Sequence, residues 1–193
     1  ANFQLITWTL NTSVSPVGGG SVDPSSGTYT NGTDVTLTAT ASAGYRFVQW
    51  TGDASGTSAT VIVSMTANRN VTAVFIQQVT LTTSVTPLGS GSVDPTSGTY
   101  DLGATAQLTA TPANANYEFV RWDIAGGGTD TANPLSLTMD ANKSVTAVFQ
   151  LKTYELTTAV TPLGSGTVTP SSGAFNAGSN VQLTATPEEG FRF

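Results

Sequence analysis

Six aromatic side chains stand in two matching clusters, Tyr45, Phe47 and Trp50, then Tyr117, Phe119 and Trp122. Flat rings could form a sugar-stacking platform. As bulk they would instead fill the core of a small module with few other large apolar side chains, and the core is where they are expected. Asp53, Asp123, Asp130 and Asp140 lie in loop-like sequence and could offer oxygens to calcium, but none follows D-x-D-x-D-G spacing. Asp140 reads instead as the cap of a Met-Asp-Ala-Asn turn. Glu188 and Glu189 are the one adjacent acidic pair. Neighbours on an extended segment point to opposite faces, so they do not form a glycosidase pair, and a solvated loop suits them better. Ser is abundant without a His or a Ser-x-x-Lys motif to activate it. Gly18–Gly20 and Gly126–Gly128 match neither GxGxxG nor a P-loop and read as turns. No catalytic, cofactor-binding or metal-binding residue is assigned. Asn11, Asn31, Asn70 and Asn142 begin Asn-x-Ser/Thr sequons and are candidate glycan acceptors in an exported protein. Lys143 and Lys152 are the only lysines, which excludes a Lys–Asn crosslink within the first repeat described below.

The 193 residues include no Cys and no His, and 9% of them are charged. Disulfides, Cys-ligated zinc, Fe–S clusters and thiol nucleophiles are therefore excluded, along with the usual base for a Ser nucleophile. A net charge of −6 repels a phosphate backbone, so no nucleic-acid partner is expected. No apolar run approaches about 18 residues, so no membrane insertion is expected in this segment.

Positioning falls to a repeat. Residues 84–100 read SVTPLGSGSVDPTSGTY, and residues 13–29 agree with them at 13 of 17 positions without a gap. Residues 159–175 read AVTPLGSGTVTPSSGAF, so the spacing is 71 and then 75. GYRFVQW (44–50) answers to NYEFVRW (116–122), and SMTANRNVTAVF (64–75) to TMDANKSVTAVF (138–149). The expected division is repeat 1 over 5–77, repeat 2 over 78–150 and an incomplete repeat 3 over 151–193. Residues 1–4 align with the end of repeat 2 and read as the tail of a preceding repeat, so the chain is expected to be a window on a longer array.

Within each copy the hydrophobic period is two. Val35, Leu37 and Ala39 alternate with Asp34, Thr36, Thr38 and Thr40; Ala106, Leu108 and Ala110 repeat the pattern, as do Val181, Leu183 and Ala185. Val61, Val63 and Met65 correspond to Leu135, Leu137 and Met139, and Val71, Ala73 and Phe75 share one face of the closing strand. Trp8, Leu10 and Val14 correspond to Val79, Leu81 and Val85, and Trp8, alone in its position as an indole, is expected at a junction between modules. Thr coats the outward faces, where its β-branch suits a pleated surface and its hydroxyl meets water. About six short strands per repeat follow, with one helical turn as an option at residues 65–68. Only Ile-Gln-Gln separates Phe75 from Val79, and Gln-Leu-Lys-Thr separates Phe149 from Tyr154. Such linkers should pass one repeat's last strand almost directly into the next repeat's first. The fold class expected is all-β or nearly so: tandem small modules arranged as an elongated rod.

These residues resemble the divergent internalin-type (InlB) B-repeat family. The resemblance rests on LTTSVTPLGSGSVDPTSGTY (81–100), VTLTAT (35–40), GYRFVQWTGD (44–53) and MDANKSVTAVF (139–149), and it covers essentially the whole chain. It departs at Asn116, which replaces the Gly before the aromatic, and at the Trp-Asp-Ile-Ala-Gly-Gly-Gly stretch of the second copy. It implies a β-rich module similar to β-grasp folds, used in tandem in secreted and surface proteins as stalk, spacer or adhesive segment, without catalytic residues to carry over. The function expected is non-enzymatic, a structural segment of an extracellular or cell-surface protein whose partners are the neighbouring repeats of the same chain. One alternative is a self-assembling extracellular filament, favoured by Val74 and Val148 on the nominal outer face and by low charge. The other is a carbohydrate-binding module for host or surface glycans, which requires Trp50 or Trp122 to be exposed.

Overall fold

The computed structural model describes residues 1–193, and they form strands and turns without any helix. The first repeat supplies β1 (Thr7–Ser15), β2 (Gly20–Asp23), β3 (Gly27–Thr30), β4 (Thr33–Ala41), β5 (Tyr45–Gly52), β6 (Thr60–Met65) and the beginning of β7 (Arg69–Thr86). β1 pairs antiparallel with β3 and parallel with β7, from Leu10 opposite Arg69 to Ser15 opposite Val74. β5 runs antiparallel along β7. A second sheet has the order β2-β4-β6, all antiparallel. The predicted alternation holds along β4: Val35, Leu37 and Ala39 are buried and the Thr between them exposed. They join Leu10, Trp50, Val63, Met65, Val71, Ala73 and Phe75 in one core.

Two local features shape this core. Gly32, at φ +82 in the β3–β4 turn, takes a backbone conformation that a side chain would strain, and its N–H donates to Met65 O at 2.9 Å. Phe47 and Trp50 are three residues apart, so a regular strand would send them to opposite faces. The register with β7 slips between Phe47 and Gln49, leaving Val48 without a partner, and this β-bulge brings both rings onto the core side. Their centroids lie 5.3 Å apart, and Phe47 meets Phe75 edge-on at 5.6 Å.

The second repeat continues from β7 through β8 (Gly91–Asp94), β9 (Gly98–Asp101), β10 (Thr105–Pro112), β11 (Tyr117–Ile124), β12 (Gly128–Asp130), β13 (Leu135–Thr138) and β14 (Lys143–Leu151). The order β13-β10-β8 reproduces β6-β4-β2. β11 pairs antiparallel with β14, with the same bulge between Phe119 and Arg121. The Gly-rich insertion folds β12 back on β11, where the first repeat has only an isolated bridge between Trp50 and Gly56. The third repeat forms two hairpin-like pairs, β15 (Thr153–Thr157) with β17 (Ser172–Asn176) and β16 (Gly166–Thr169) with β18 (Thr184–Pro187).

Two expectations are corrected. Residues 65–68 make no helical turn: Thr66 N–H bonds Ser64 O at 3.1 Å and the chain bends straight into β7. Trp8 packs on the core of its own repeat and donates from Nε1 to Asn31 Oδ1 at 2.9 Å. In repeat 3, where counterparts of β6 and β7 are missing from this sequence and only Gly190–Phe193 corresponds to the start of β5, Leu183 and Ala185 are exposed.

By packing, the chain divides into two compact units. One comprises Ala1–Leu81, Thr99–Thr105 and Thr138–Asn142; the other comprises Thr82–Gly98, Ala106–Leu137 and Lys143–Phe193. Part of the second repeat thus packs with the first.

Candidate functional site: the seams between repeats

The residues that could have done chemistry are occupied in holding the fold. Trp50 and Trp122 are 2% and 0% exposed, and their indole N–H groups donate to Ser58 O at 2.9 Å and Ala132 O at 2.8 Å. Both indoles are thus in the core, where they are expected, and present no face for stacking on a sugar. Asp53 accepts from Asn70 N–H at 2.7 Å and sits 3.9 Å from Arg69. Asp123 pairs with Arg121 at 2.7 Å, and Asp130 accepts from Ala132 N–H at 2.8 Å in an Asx turn. No three acidic side chains are brought together, Asp140 included. Glu188 and Glu189 lie exposed in the turn after β18.

The sequon asparagines Asn11, Asn31, Asn70 and Asn142 are all exposed. Asn11 and Asn70 face each other across β1 and β7, Nδ2 to Oδ1 at 3.0 Å. Asn142 Oδ1 accepts from Thr80 N–H at 2.9 Å, as Asn68 Oδ1 does from Thr9 N–H at 2.9 Å. Each ties the start of its repeat's first strand to the turn before its last. The shared Ala-Asn of the two copies is the sequence signal for this role.

What the sequence could only hint at is the construction of the seam. β7 is 18 residues long and unbroken, serving as closing strand of repeat 1 and then opening strand of repeat 2. At its middle, Gln78 N–H donates to Gly44 O at 2.7 Å, and Gln77 O accepts from Leu102 N–H at 2.8 Å. Gly44 belongs to repeat 1 and Leu102 to repeat 2, so the two halves are sewn by main chain on both sides of the crossing. Arg46 then reaches Asp101 in a forked ion pair, Nε to Oδ1 at 2.7 Å with Nη2 on Oδ2. The hydrogen bond from Arg46, with help from its charge and from the Gln78 side chain, holds the Asp101 carboxyl below its ordinary pKa; the same bond raises that of Arg46.

The second seam keeps the main-chain part. Lys152 N–H donates to Asn116 O at 2.8 Å, and Lys152 O accepts from Ala177 N–H at 2.8 Å. The strand is interrupted there, β14 ending at Leu151 and β15 starting at Thr153. Where Arg46 stood is Glu118, which accepts from Gln150 Nε2 at 2.5 Å, and where Asp101 stood is Asn176.

Comparison with known proteins agrees with this tandem construction. The family model of the divergent InlB B-repeat domain matches three successive stretches, residues 10–78, 81–153 and 156–193. No curated protein matches the chain.

Proposed function

Since the chain belongs to the divergent InlB B-repeat family, we propose that it is a stiff, non-enzymatic spacer or adhesin stalk in an extracellular protein. The family is a repeat domain typical of surface or extracellular proteins rather than a known enzyme family, and this chain carries it in tandem. The observation that supports a spacer is β7, whose 18 residues cross from repeat 1 to repeat 2 with no flexible linker. Bending there would break hydrogen bonds to Gly44 and Leu102 as well as the Arg46–Asp101 pair. The Thr-rich outward faces supply hydration without many charges. Glycans on the exposed sequons Asn11, Asn31, Asn70 and Asn142 would add to it.

Small-angle scattering of the 193-residue chain tests the proposal. A spacer gives a radius of gyration well above the roughly 16 Å of a compact globule of this length, with a narrow cross-section. A value near that of the globule, or the profile of a freely jointed chain, would refute it.

A further inference from the structure

Repeat 1 lies whole within one compact unit, and its first and last strands are neighbours that run the same way. The ladder between β1 and β7 extends without a slip from Leu10 opposite Arg69 to Ser15 opposite Val74. On its other edge β1 pairs with β3, from Thr7 opposite Thr30 to Leu10 opposite Gly27. β1 is therefore held along its whole length, by β3 over its first half and by β7 over its second.

Side chains add ties along the β7 edge. Thr9 N–H donates to Asn68 Oδ1 at 2.9 Å, Asn11 Nδ2 donates to Asn70 Oδ1 at 3.0 Å, and the hydroxyls of Ser13 and Thr72 share a hydrogen bond at 2.7 Å. Thr12 N–H points the other way, to Ser26 Oγ at 2.9 Å. Beneath the ladder, Leu10 of β1 and Val71, Ala73 and Phe75 of β7 belong to one buried core. The second repeat has the same ties across β7 and β14, from Thr80 N–H to Asn142 Oδ1 and between Ser84 and Thr146. Repeat 3 has no closing strand beside β15, which pairs with β17, and lacks such a ladder.

The topology sets how tension is carried. The chain enters repeat 1 at the start of β1 and leaves it along β7. Because the two strands are parallel, a pull on the two ends of the repeat drives them past each other along their length. The evenly spaced bonds of a parallel ladder then take the load together. A pull on the end of β1, beside the end of its ladder with β7, would instead open the pairs one after another. We infer that repeat 1 is a tension-bearing clamp, resistant to extension in the direction in which the chain runs through it. A spacer needs stiffness against bending, whereas resistance to tension is a separate property. A chain that scattered as a globule would keep these strands and would still have it.

Single-molecule force spectroscopy of the full chain is the test, and the absence of Cys makes introduced thiols unique handles. Leu5, Val17 and Gln77 are exposed, so handles there should leave the fold intact. L5C/Q77C is held before β1 and just past the ladder on β7, which loads the two strands in shear. V17C/Q77C is held after β1 and at the same point on β7, which peels them apart. At one loading rate the shear rupture should need about threefold the force or more, because several bonds share the load in one direction and single pairs carry it in the other. Each rupture is identified by the chain released between its handles, about 3.5 Å per residue. Forced unfolding reads the barrier rather than the equilibrium, so the urea midpoints of the two variants should agree while their rupture forces differ. Rupture forces equal in the two directions, or higher in peeling, would overturn the inference.

Discussion

The first seam joins its repeats with an unbroken strand, two main-chain hydrogen bonds and a forked Arg46–Asp101 pair. The second keeps the two main-chain bonds, at Lys152, but interrupts the strand and replaces the ion pair by Glu118 and Asn176. A one-residue insertion explains the interruption. Six residues lead from Phe75 to Leu81, but seven from Phe149 to Leu156. In a continuous strand one extra residue would turn every following side chain to the other face, and the break at Lys152 absorbs it. Main-chain bonding is thus the part of the joint that survives sequence change, and the polar side chains around it vary from seam to seam.

The comparison can be broken most severely at its shared part. Phe75 and Phe149, each 3% exposed, are the last core residues before their seams. Phe75→Ala and Phe149→Ala should each cost about 3–5 kcal/mol in urea unfolding. Equal costs are expected, because Phe47 and Phe119 meet them in the same edge-on way, at 5.6 and 5.9 Å. Markedly unequal costs would mean that the seams already differ in the core.

A smaller effect comes from the crossing itself. Gln78→Pro and Lys152→Pro each delete the N–H bonded to the preceding repeat and leave a carbonyl short of a donor, a loss of about 1–3 kcal/mol. At the first seam the change should also separate one cooperative unfolding transition into two. The change at Lys152, where the strand is already interrupted, should alter the number of transitions less.

The smallest effect distinguishes the seams by pH. Arg46 holds the Asp101 carboxyl below its ordinary range. The resulting stabilisation is complete above the unfolded pKa and is lost as pH falls through the lowered folded value. Acidification should therefore loosen the first seam, and Asp101→Asn should remove that part of the pH dependence while leaving the second seam unchanged. Thermal unfolding across the acid range checks this, and the pair's exposure keeps the change modest.

Much of this was legible in the residues because β-structure writes itself with period two. Val35, Leu37 and Ala39 gave the inward face of β4, and the three-residue linker after Phe75 foretold that β7 would run on. The bulge was only half legible: Phe47 and Trp50 share a face at a spacing a regular strand forbids. Trp8 misled because its singularity among the copies suggested a junction, whereas Asn31 lay within reach of its indole. Arg46 and Asp101 carried no signal, since they are 55 positions apart and the corresponding residues differ at the other seam. Leu183 had the right alternation but no strands to bury it.

The central claim is that repeats 1 and 2 are joined by hydrogen-bonded strand rather than by a linker, and native-state amide hydrogen exchange measures this directly. The account predicts that Gln78 and Leu102 N–H exchange as slowly as amides in the interior of β7. Exchange there at the rate of a solvent-exposed turn, with β7 protected on both sides, would contradict it.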